Sequence, residues 1–319
     1  MKSKRSHGFA LVIVLSLLSV AWAVPVLADS YTIGGDVQNP GSYSATGSLW
    51  SALNGSATVA NPTGPQENGI SNDYVQVNGS NGSQIFSVSE IDPSYNGNNS
   101  TANPTVVANG AGGFNLTSTD GRNVTGITSM QVVDAVPTST NGGQVQGDSK
   151  SVTIFGAGIP TTVYNSVSAL NAAGTDPSGG VTATYNHQGS HTVNFQGPTL
   201  LSILQNLGGD AVTQNLNNIV VFQATDGYST ILSMAEIDEA LNSKPVLLAT
   251  EASDGSINGT GNPDDGMARL VITGETTPGP WVSNLLTVEV ETVPEPISAL
   301  LFAPGLVLIW AARRRLATK

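Results

Sequence analysis

The chain has 319 residues, a formal net charge of −12 and no cysteine. Without cysteine it forms no disulfide, offers no thiolate nucleophile and holds no metal through a cysteine thiolate. Most of its Lys and Arg lie near the two ends, so residues 29–296 hold 4 basic against 23 acidic residues, a net −19. Such a surface repels phosphate backbones and argues against nucleic acid as a partner. Abundant Gly, Ser, Thr and Asn with few charges suits strand-rich exported domains with polar loops, and residues 29–296 suffice for one large core or two ordinary ones.

At the N-terminus, Lys2, Lys4 and Arg5 precede an apolar run from Phe9 to Val20, and Val26-Leu27-Ala28 follows with small-residue cleavage character. A basic start, a short apolar stretch and such a site predict a secretory signal peptide over residues 1–28. The protein is therefore expected outside the compartment in which it is made.

Beyond residue 28 the chain repeats itself. Residues 73–82, Asp73-Tyr-Val-Gln-Val-Asn-Gly-Ser-Asn-Gly82, align without a gap on residues 218–227, Asn218-Ile-Val-Val-Phe-Gln-Ala-Thr-Asp-Gly227. Each segment leads through a strand-like stretch to a Glu-Ile-Asp triplet, Glu90-Ile91-Asp92 and Glu236-Ile237-Asp238. Each then reaches a proline-led apolar run (104–108, 245–249) and closes on an alternating strand, Met130–Val136 or Leu286–Val290. The expectation is a strand-dominated α+β protein of two tandem homologous domains, 29–136 and 151–292. A turn-rich linker over 137–150 joins them.

The first domain opens on Tyr31-Thr-Ile-Gly-Gly-Asp-Val-Gln-Asn-Pro-Gly-Ser-Tyr43, a strand running into a Pro-Gly turn. In the second, Leu200, Ile203, Leu204 and Leu207 recur at helical spacing, with Pro198 expected to open the helix and Gly208-Gly209 to close it. Strands are expected at 219–222 and 229–233 around a turn at Thr225-Asp226-Gly227, and a short helix over 236–241. In the closing strand Leu286, Val288 and Val290 face inward and Thr287, Glu289 and Glu291 outward.

These features, with Ala268-Arg-Leu-Val-Ile272 and Trp281-Val282, make residues 195–292 resemble the molybdopterin-binding domain of sulfite-oxidase-like oxidoreductases. The opening of the first domain also looks like the β-grasp ligand-binding modules of polysaccharide-export proteins. The first resemblance implies a molybdenum centre held by a cysteine thiolate and a pterin phosphate gripped by basic side chains. This chain has no cysteine, and its second domain offers only Lys244 and Arg269 as cations, with His187 and His191 nearby in sequence. The expectation is thus an inherited fold without a cofactor, catalytic site or metal site, a molybdopterin-dependent oxidoreductase or redox accessory being the alternative.

Other constellations point the same way. His187 and His191 are four apart, but Gly189 predicts a turn between strands rather than a zinc-binding helix. The two Glu-Ile-Asp triplets invite a carboxylate mechanism, yet their recurrence fits a scaffold with Ile91 and Ile237 buried and the acids capping or solvated. Residues 254–265 place oxygen side chains at calcium-loop positions 1, 3, 5 and 12 with glycine at 6, which leaves calcium binding open. Trp281 is expected to pack beneath the last strand rather than to stack on a sugar.

At the C-terminus Pro294-Glu295-Pro296 precedes sixteen uncharged residues, 297–312, and then Arg313-Arg314-Arg315. Sixteen helical residues rise about 24 Å, marginal against a hydrocarbon core of about 30 Å, and the arginines would stay cytoplasmic. These three elements over 293–319 resemble the PEP-CTERM sorting signal; a plain C-terminal membrane anchor is the competing reading. The resemblance implies processing by an exosortase-type enzyme after transient residence in the inner membrane. It implies delivery to the envelope, surface or extracellular matrix, and exopolysaccharide as a possible partner.

Overall fold

The computed structural model describes residues 30–55, 57, 72–93, 103–135, 147–186, 190–242, 244–257, 266–274 and 280–294. The expected signal peptide, the apolar span 297–312 and most of the expected linker lie outside the described residues. The fold is α+β and dominated by strands, as expected, and every described helix is short. Among the described residues no helix is long and apolar enough to cross a membrane.

The N-terminal half contributes β1 (Tyr31–Gly35), β2 (Gly41–Tyr43), β3 (Gly47–Ser48), α1 (Leu49–Asn54), β4 (Asp73–Gly79) and β5 (Gly82–Ser87). It continues with α2 (Val88–Ile91), β6 (Thr105–Ala108), β7 (Phe114–Thr117) and β8 (Ser129–Asp134). Five of these strands form a sheet in the order β2-β1-β8-β4-β5, with β8, the last in sequence, at its centre. β1 runs parallel to β8, and the other neighbours are antiparallel. Period-two alternation sends Val75, Val77, Met130 and Val132 to one face, where they pack with Leu53, Phe86 and Leu116 under α1 and the small sheet β3-β6-β7.

The C-terminal half contributes β9 (Val152–Gly156), β10 (Ile159–Tyr164), α3 (Val167–Asn171), β11 (Val181–Asn186), β12 (Ser190–Gln196), α4 (Leu200–Gly208) and α5 (Asp210–Thr213). There follow β13 (Asn218–Ala224), β14 (Ser229–Ser233), α6 (Met234–Ile237), α7 (Glu239–Asn242), β15 (Val246–Ala249), β16 (Glu251–Ala252), β17 (Arg269–Ile272) and β18 (Leu285–Thr292). Its main sheet has the order β10-β9-β18-β13-β14, strand for strand that of the first. Here too the first strand, β9, is parallel to the central last strand, β18, and the remaining pairings are antiparallel. The matching segments 73–82 and 218–227 start β4 and β13 respectively.

Helix α4 lies where the Leu spacing predicts it, burying Leu200, Ile203 and Leu204. Its cap differs from expectation. The Thr199 hydroxyl accepts from the Ser202 N–H, and Pro198 sits one residue before the cap. Gly209 ends the helix with φ of +67°. The helix expected over 236–241 is two single turns, α6 and α7, parted where Asp238 takes an extended ψ of 107°.

The two five-stranded sheets meet back to back. Tyr74, Ile85 and Ala135 of the first pack against Ile219, Val221, Ile231 and Val293 of the second. At roughly 1.5–3 kcal/mol per fully buried large apolar side chain, this seam contributes on the order of 10 kcal/mol before entropic costs. It also overturns the expectation for the last strand. Its outward face is covered by the first sheet, so Glu289 is only 7% exposed and Glu291 is half-buried. Burial, and then the charge of Glu289, push the Glu291 carboxyl above the usual carboxylate range.

One detail recurs in both sheets. Gly35 ends β1 with φ of +84°, and the next residue, Asp36, donates its N–H to the Val132 carbonyl at 2.8 Å. Gly156 ends β9 with φ of +125°, and Ala157 donates to the Val290 carbonyl at 2.7 Å. A Cβ at either glycine would lie about 2 Å from the accepting carbonyl oxygen (1.9 Å from Val132, 2.1 Å from Val290). Gly156→Ala is therefore expected to cost about 3 kcal/mol or more in urea unfolding. Gly209→Ala, whose Cβ would meet open space, should cost less, about 1–3 kcal/mol, from backbone strain alone.

Candidate functional site

The site begins with two short local motifs. Ser87-Val-Ser-Glu90 and Ser233-Met-Ala-Glu236 both have the Ser-x-x-Glu pattern of a helix start, and each serine caps the one-turn helix that follows it. The Ser87 hydroxyl accepts from the Glu90 N–H at 3.1 Å, and the Ser233 hydroxyl accepts from the Glu236 N–H at 3.2 Å.

The same hydroxyls donate across the seam. Ser87 Oγ donates to Glu236 Oε2 at 2.7 Å, while Ser233 Oγ donates to Glu90 Oε2 at 3.0 Å. Each half thus caps its own helix and holds the glutamate of the other half. Ser89, in hydrogen-bond contact with Ser87, adds a bond to the Ile231 carbonyl at 3.4 Å.

Arg122 fills the space beside these carboxylates with its side chain 1% exposed. Its Nη2 pairs with Glu90 Oε1 and with Asp120 Oδ2, and its Nε donates to Asp120 Oδ2 at 2.7 Å. Nη1 donates to the Ile85 carbonyl at 2.6 Å and reaches Glu90 Oε2 at 3.3 Å and Ser233 Oγ at 3.5 Å. The guanidinium carbon stands 4.1 Å from the centroid of the Phe86 ring. Ser118 donates to the far oxygen of Asp120, fixing that carboxylate for the arginine.

The electrostatics follow from this geometry. Burial would raise Asp120, but the Arg122 charge and hydrogen bonds from Arg122 and Ser118 outweigh it and hold the carboxyl below its ordinary value. Burial disfavours the Arg122 charge, and Glu90 and Asp120 more than restore it. Glu236 fares differently. Burial first, and then the charge of Glu90, push it up to about 8, against hydrogen bonds from Ser87 and the attraction of Arg122. The arginine thus favours the charged form of Asp120, while burial favours the protonated form of Glu236.

The Glu-Ile-Asp expectation is half met. Ile91 and Ile237 are buried, at 8% and 0% exposure, and Asp238 caps α7 by accepting from the Ala240 N–H at 2.9 Å, but Glu90 and Glu236 are neither capping nor solvated: serines cap α2 and α6, and the two glutamates are buried against each other's half. Arg122 and the two serines escape the sequence reading. The available signals are the repeated Ser-x-x-Glu pattern and an arginine that is the only Lys or Arg between residues 29 and 149.

The remaining candidates are scattered. β11 and β12 pair antiparallel from Val181↔Phe195 to Asn186↔Ser190, which places His191 on a strand opposite Tyr185; His187 lies outside the described residues. Arg269 donates to Ser283 and pairs with Ala249 at one end of the β15–β17 ladder, whereas Lys244 covers Gly274 beyond the other end. These two cations point to different places. Asp254 binds the N–H and hydroxyl of Ser256, but residues 258–265 of the possible calcium loop lie outside the described residues. Among the described residues no group of three or more His, Asp or Glu is placed to hold a metal ion. Trp281 is buried, edge-on to Phe195 with centroids 5.4 Å apart, and donates its indole N–H to the Ile272 carbonyl.

Of the sorting motif, Pro294 is described, and Glu295, Pro296, Arg313, Arg314 and Arg315 lie outside the described residues. Val293 is buried in the seam, and the exposed Pro294 offers its carbonyl to Gln76 Nε2 of the opposite sheet at 3.0 Å.

Removing the arginine would strand two buried carboxylates, so Arg122→Ala is expected to lower unfolding free energy by about 3–5 kcal/mol. Arg122→Lys should recover only part of this loss in the same denaturation experiment, because an ammonium cannot serve two carboxylates and a carbonyl in one plane. No protein-family model matches this chain, and neither does any curated protein.

Proposed function

We propose that the chain is an exported, non-catalytic protein of the cell surface or extracellular matrix. Its body consists of two tandem, degenerate repeats similar to the sulfite-oxidase molybdopterin-binding domain, and its C-terminal tail is a PEP-CTERM sorting signal. The observation that carries the non-catalytic reading is the sealed state of the dense cluster of titratable groups found among the described residues. Paired carboxylates do acid–base work where water and substrate reach them. Here Glu90 and Glu236 are 6% and 4% exposed, and the space beside them is filled by Arg122. The cluster ties two sheets together instead of facing a substrate.

The repeat reading is supported by the common strand order, the parallel first-to-last strand pair, the two equivalent glycines and the two Ser-x-x-Glu starts. Loss of the cofactor is supported by the residues themselves. A thiolate ligand for molybdenum has no counterpart in a chain without cysteine, and Lys244 and Arg269 do not converge on one anion. The sorting reading is supported by the order of Pro294-Glu295-Pro296, the apolar run and Arg313-Arg314-Arg315. The first residue of that motif, the exposed Pro294, directly follows Val293, which is buried in the seam. An exosortase-type enzyme and, after processing, exopolysaccharide are the partners this reading implies.

Elemental analysis and an absorbance spectrum of the purified protein test the body. The expected result is a colourless protein free of molybdenum, and a stoichiometric content of that metal would overturn the reading. For the tail, a Pro294→Ala, Pro296→Ala double variant should accumulate uncleaved in the inner membrane. Normal maturation of that variant would favour a simple anchor.

A further inference from the structure

We propose that the first five-stranded sheet binds an internal water molecule between the side-chain amide of Asn78 and the hydroxyl of Ser83, and that the second sheet repeats the arrangement at Gln223. The inference concerns the folded body and is independent of how the chain is sorted.

Two buried oxygens carry the first site. Asn78 on β4 and Ser83 on β5 are 7% and 6% exposed, and neither Asn78 Oδ1 nor Ser83 Oγ has a hydrogen-bond partner in the protein. The two residues stand directly opposite each other in the β4–β5 ladder, so their side chains leave the sheet on the same face. That is the seam face, which Tyr74 and Ile85 of the same strands share. Across β4 from Ser83 lies Ser129 of β8, whose hydroxyl accepts from Asn78 Nδ2 at 3.0 Å. A planar amide with its nitrogen turned to β8 turns its oxygen away from that strand, to the side on which Ser83 stands.

The pair does not satisfy itself. The Ser83 hydroxyl is able to donate to an amide oxygen, yet no bond joins the two. Opposed residues of an antiparallel pair hold their Cβ atoms about 4.5–5.5 Å apart, a separation that one water spans. Buried polar groups left unbonded are costly, and proteins meet them with their own groups or with ordered water. Two polar partners are the fewest that hold an internal water, and this pair supplies them. The amide oxygen accepts one of the water protons, and the Ser83 hydroxyl donates to the water oxygen. The row Ser83, Asn78, Ser129 carries no charge, which suits a neutral ligand and not a cation.

The second half carries the same row. The gap-free match of 73–82 to 218–227 sets Gln223 of β13 on Asn78 of β4. Its register neighbours are again hydroxyl residues, Ser229 on β14 and Thr287 on β18, at 6% and 7% exposure. Its amide oxygen, Oε1, is likewise buried without a hydrogen-bond partner in the protein. A side-chain amide flanked on both sides by hydroxyl residues, its oxygen unbonded, thus recurs at one position of the repeat. An accident of packing in one half would not reproduce it in the other.

A crystal structure of the intact protein, at a resolution that shows ordered water, tests the proposal. A water is expected at about 2.5–3.0 Å from both Asn78 Oδ1 and Ser83 Oγ, and a second on Gln223 Oε1. No water at Asn78, or an Asn78 amide bonded directly to Ser83, would overturn the proposal; absence at Gln223 alone would overturn its extension to the second half. In solution, oxygen-17 relaxation dispersion counts long-lived internal waters. Ser83→Ala, which removes one of the two partners, should lower that count by one relative to wild type, and an equal count would refute the site. Should Ser83→Ala fail to fold, the wild-type crystal structure decides.

Discussion

Arg122 presents five N–H donors in a plane, and the seam engages every nitrogen that carries them: Nε with Asp120, Nη2 with Asp120 and Glu90, Nη1 with the Ile85 carbonyl and Glu90. A guanidinium buried this deeply is tolerable only because it is fully bonded and flanked by opposite charge. The consequence runs outward in three steps. Asp120 is fixed through Ser118 and the turn after β7, Glu90 is fixed at the end of α2, and both carboxylates hold the arginine against the Ser233 cap of the other half. The register of one sheet on the other is thereby set by polar groups of fixed direction. The apolar cluster around Tyr74, Ile85, Ile219, Val221 and Ile231 supplies attraction without such direction.

Two halves with the same strand order, packed through equivalent faces, would by default bring identical side chains together. For Ser87 and Ser233 that is useful, because a hydroxyl both accepts and donates and can cap one helix while bonding the opposite carboxylate. For Glu90 and Glu236 it is costly, because two buried carboxylates repel. A single arginine, contributed by one half, makes the halves chemically unequal. Glu90 pairs with that arginine, while burial and the charge of Glu90 push the Glu236 carboxyl up. A buried polar cluster adds little raw stability over apolar packing, so its contribution here is alignment of the two sheets.

The strands and the α4 helix were legible because their periodicities are local: Val75 and Val77 alternate, and Leu200, Ile203 and Leu204 recur at helical spacing. The seam was not. Glu289 and Glu291 alternate with Val288 and Val290 in the manner of a solvated face, and only the arrival of a second sheet makes that face an interior. No pattern within β18 encodes what lies across from it. The Glu-Ile-Asp repeat was visible, but its meaning lay three residues upstream, in serines that look like ordinary helix caps until the two halves dock. Arg122 carried a weaker signal, as a lone cation in a long acidic stretch. Its partners come from positions 85, 90, 120 and 233, a set that no spacing rule assembles.

In both sheets the strand made last is the one that sits in the centre: β8 between β1 and β4, β18 between β9 and β13. Neither sheet can close until its final strand arrives, and each closure joins strands far apart in sequence, a topology that folds slowly. For the second sheet the final strand also completes the seam, because it carries Glu289 and Glu291 and ends in Val293 within the shared cluster. The first residue beyond that cluster is Pro294, whose carbonyl is held by Gln76 from the opposite sheet. That contact cannot form in a chain whose halves have folded but not docked.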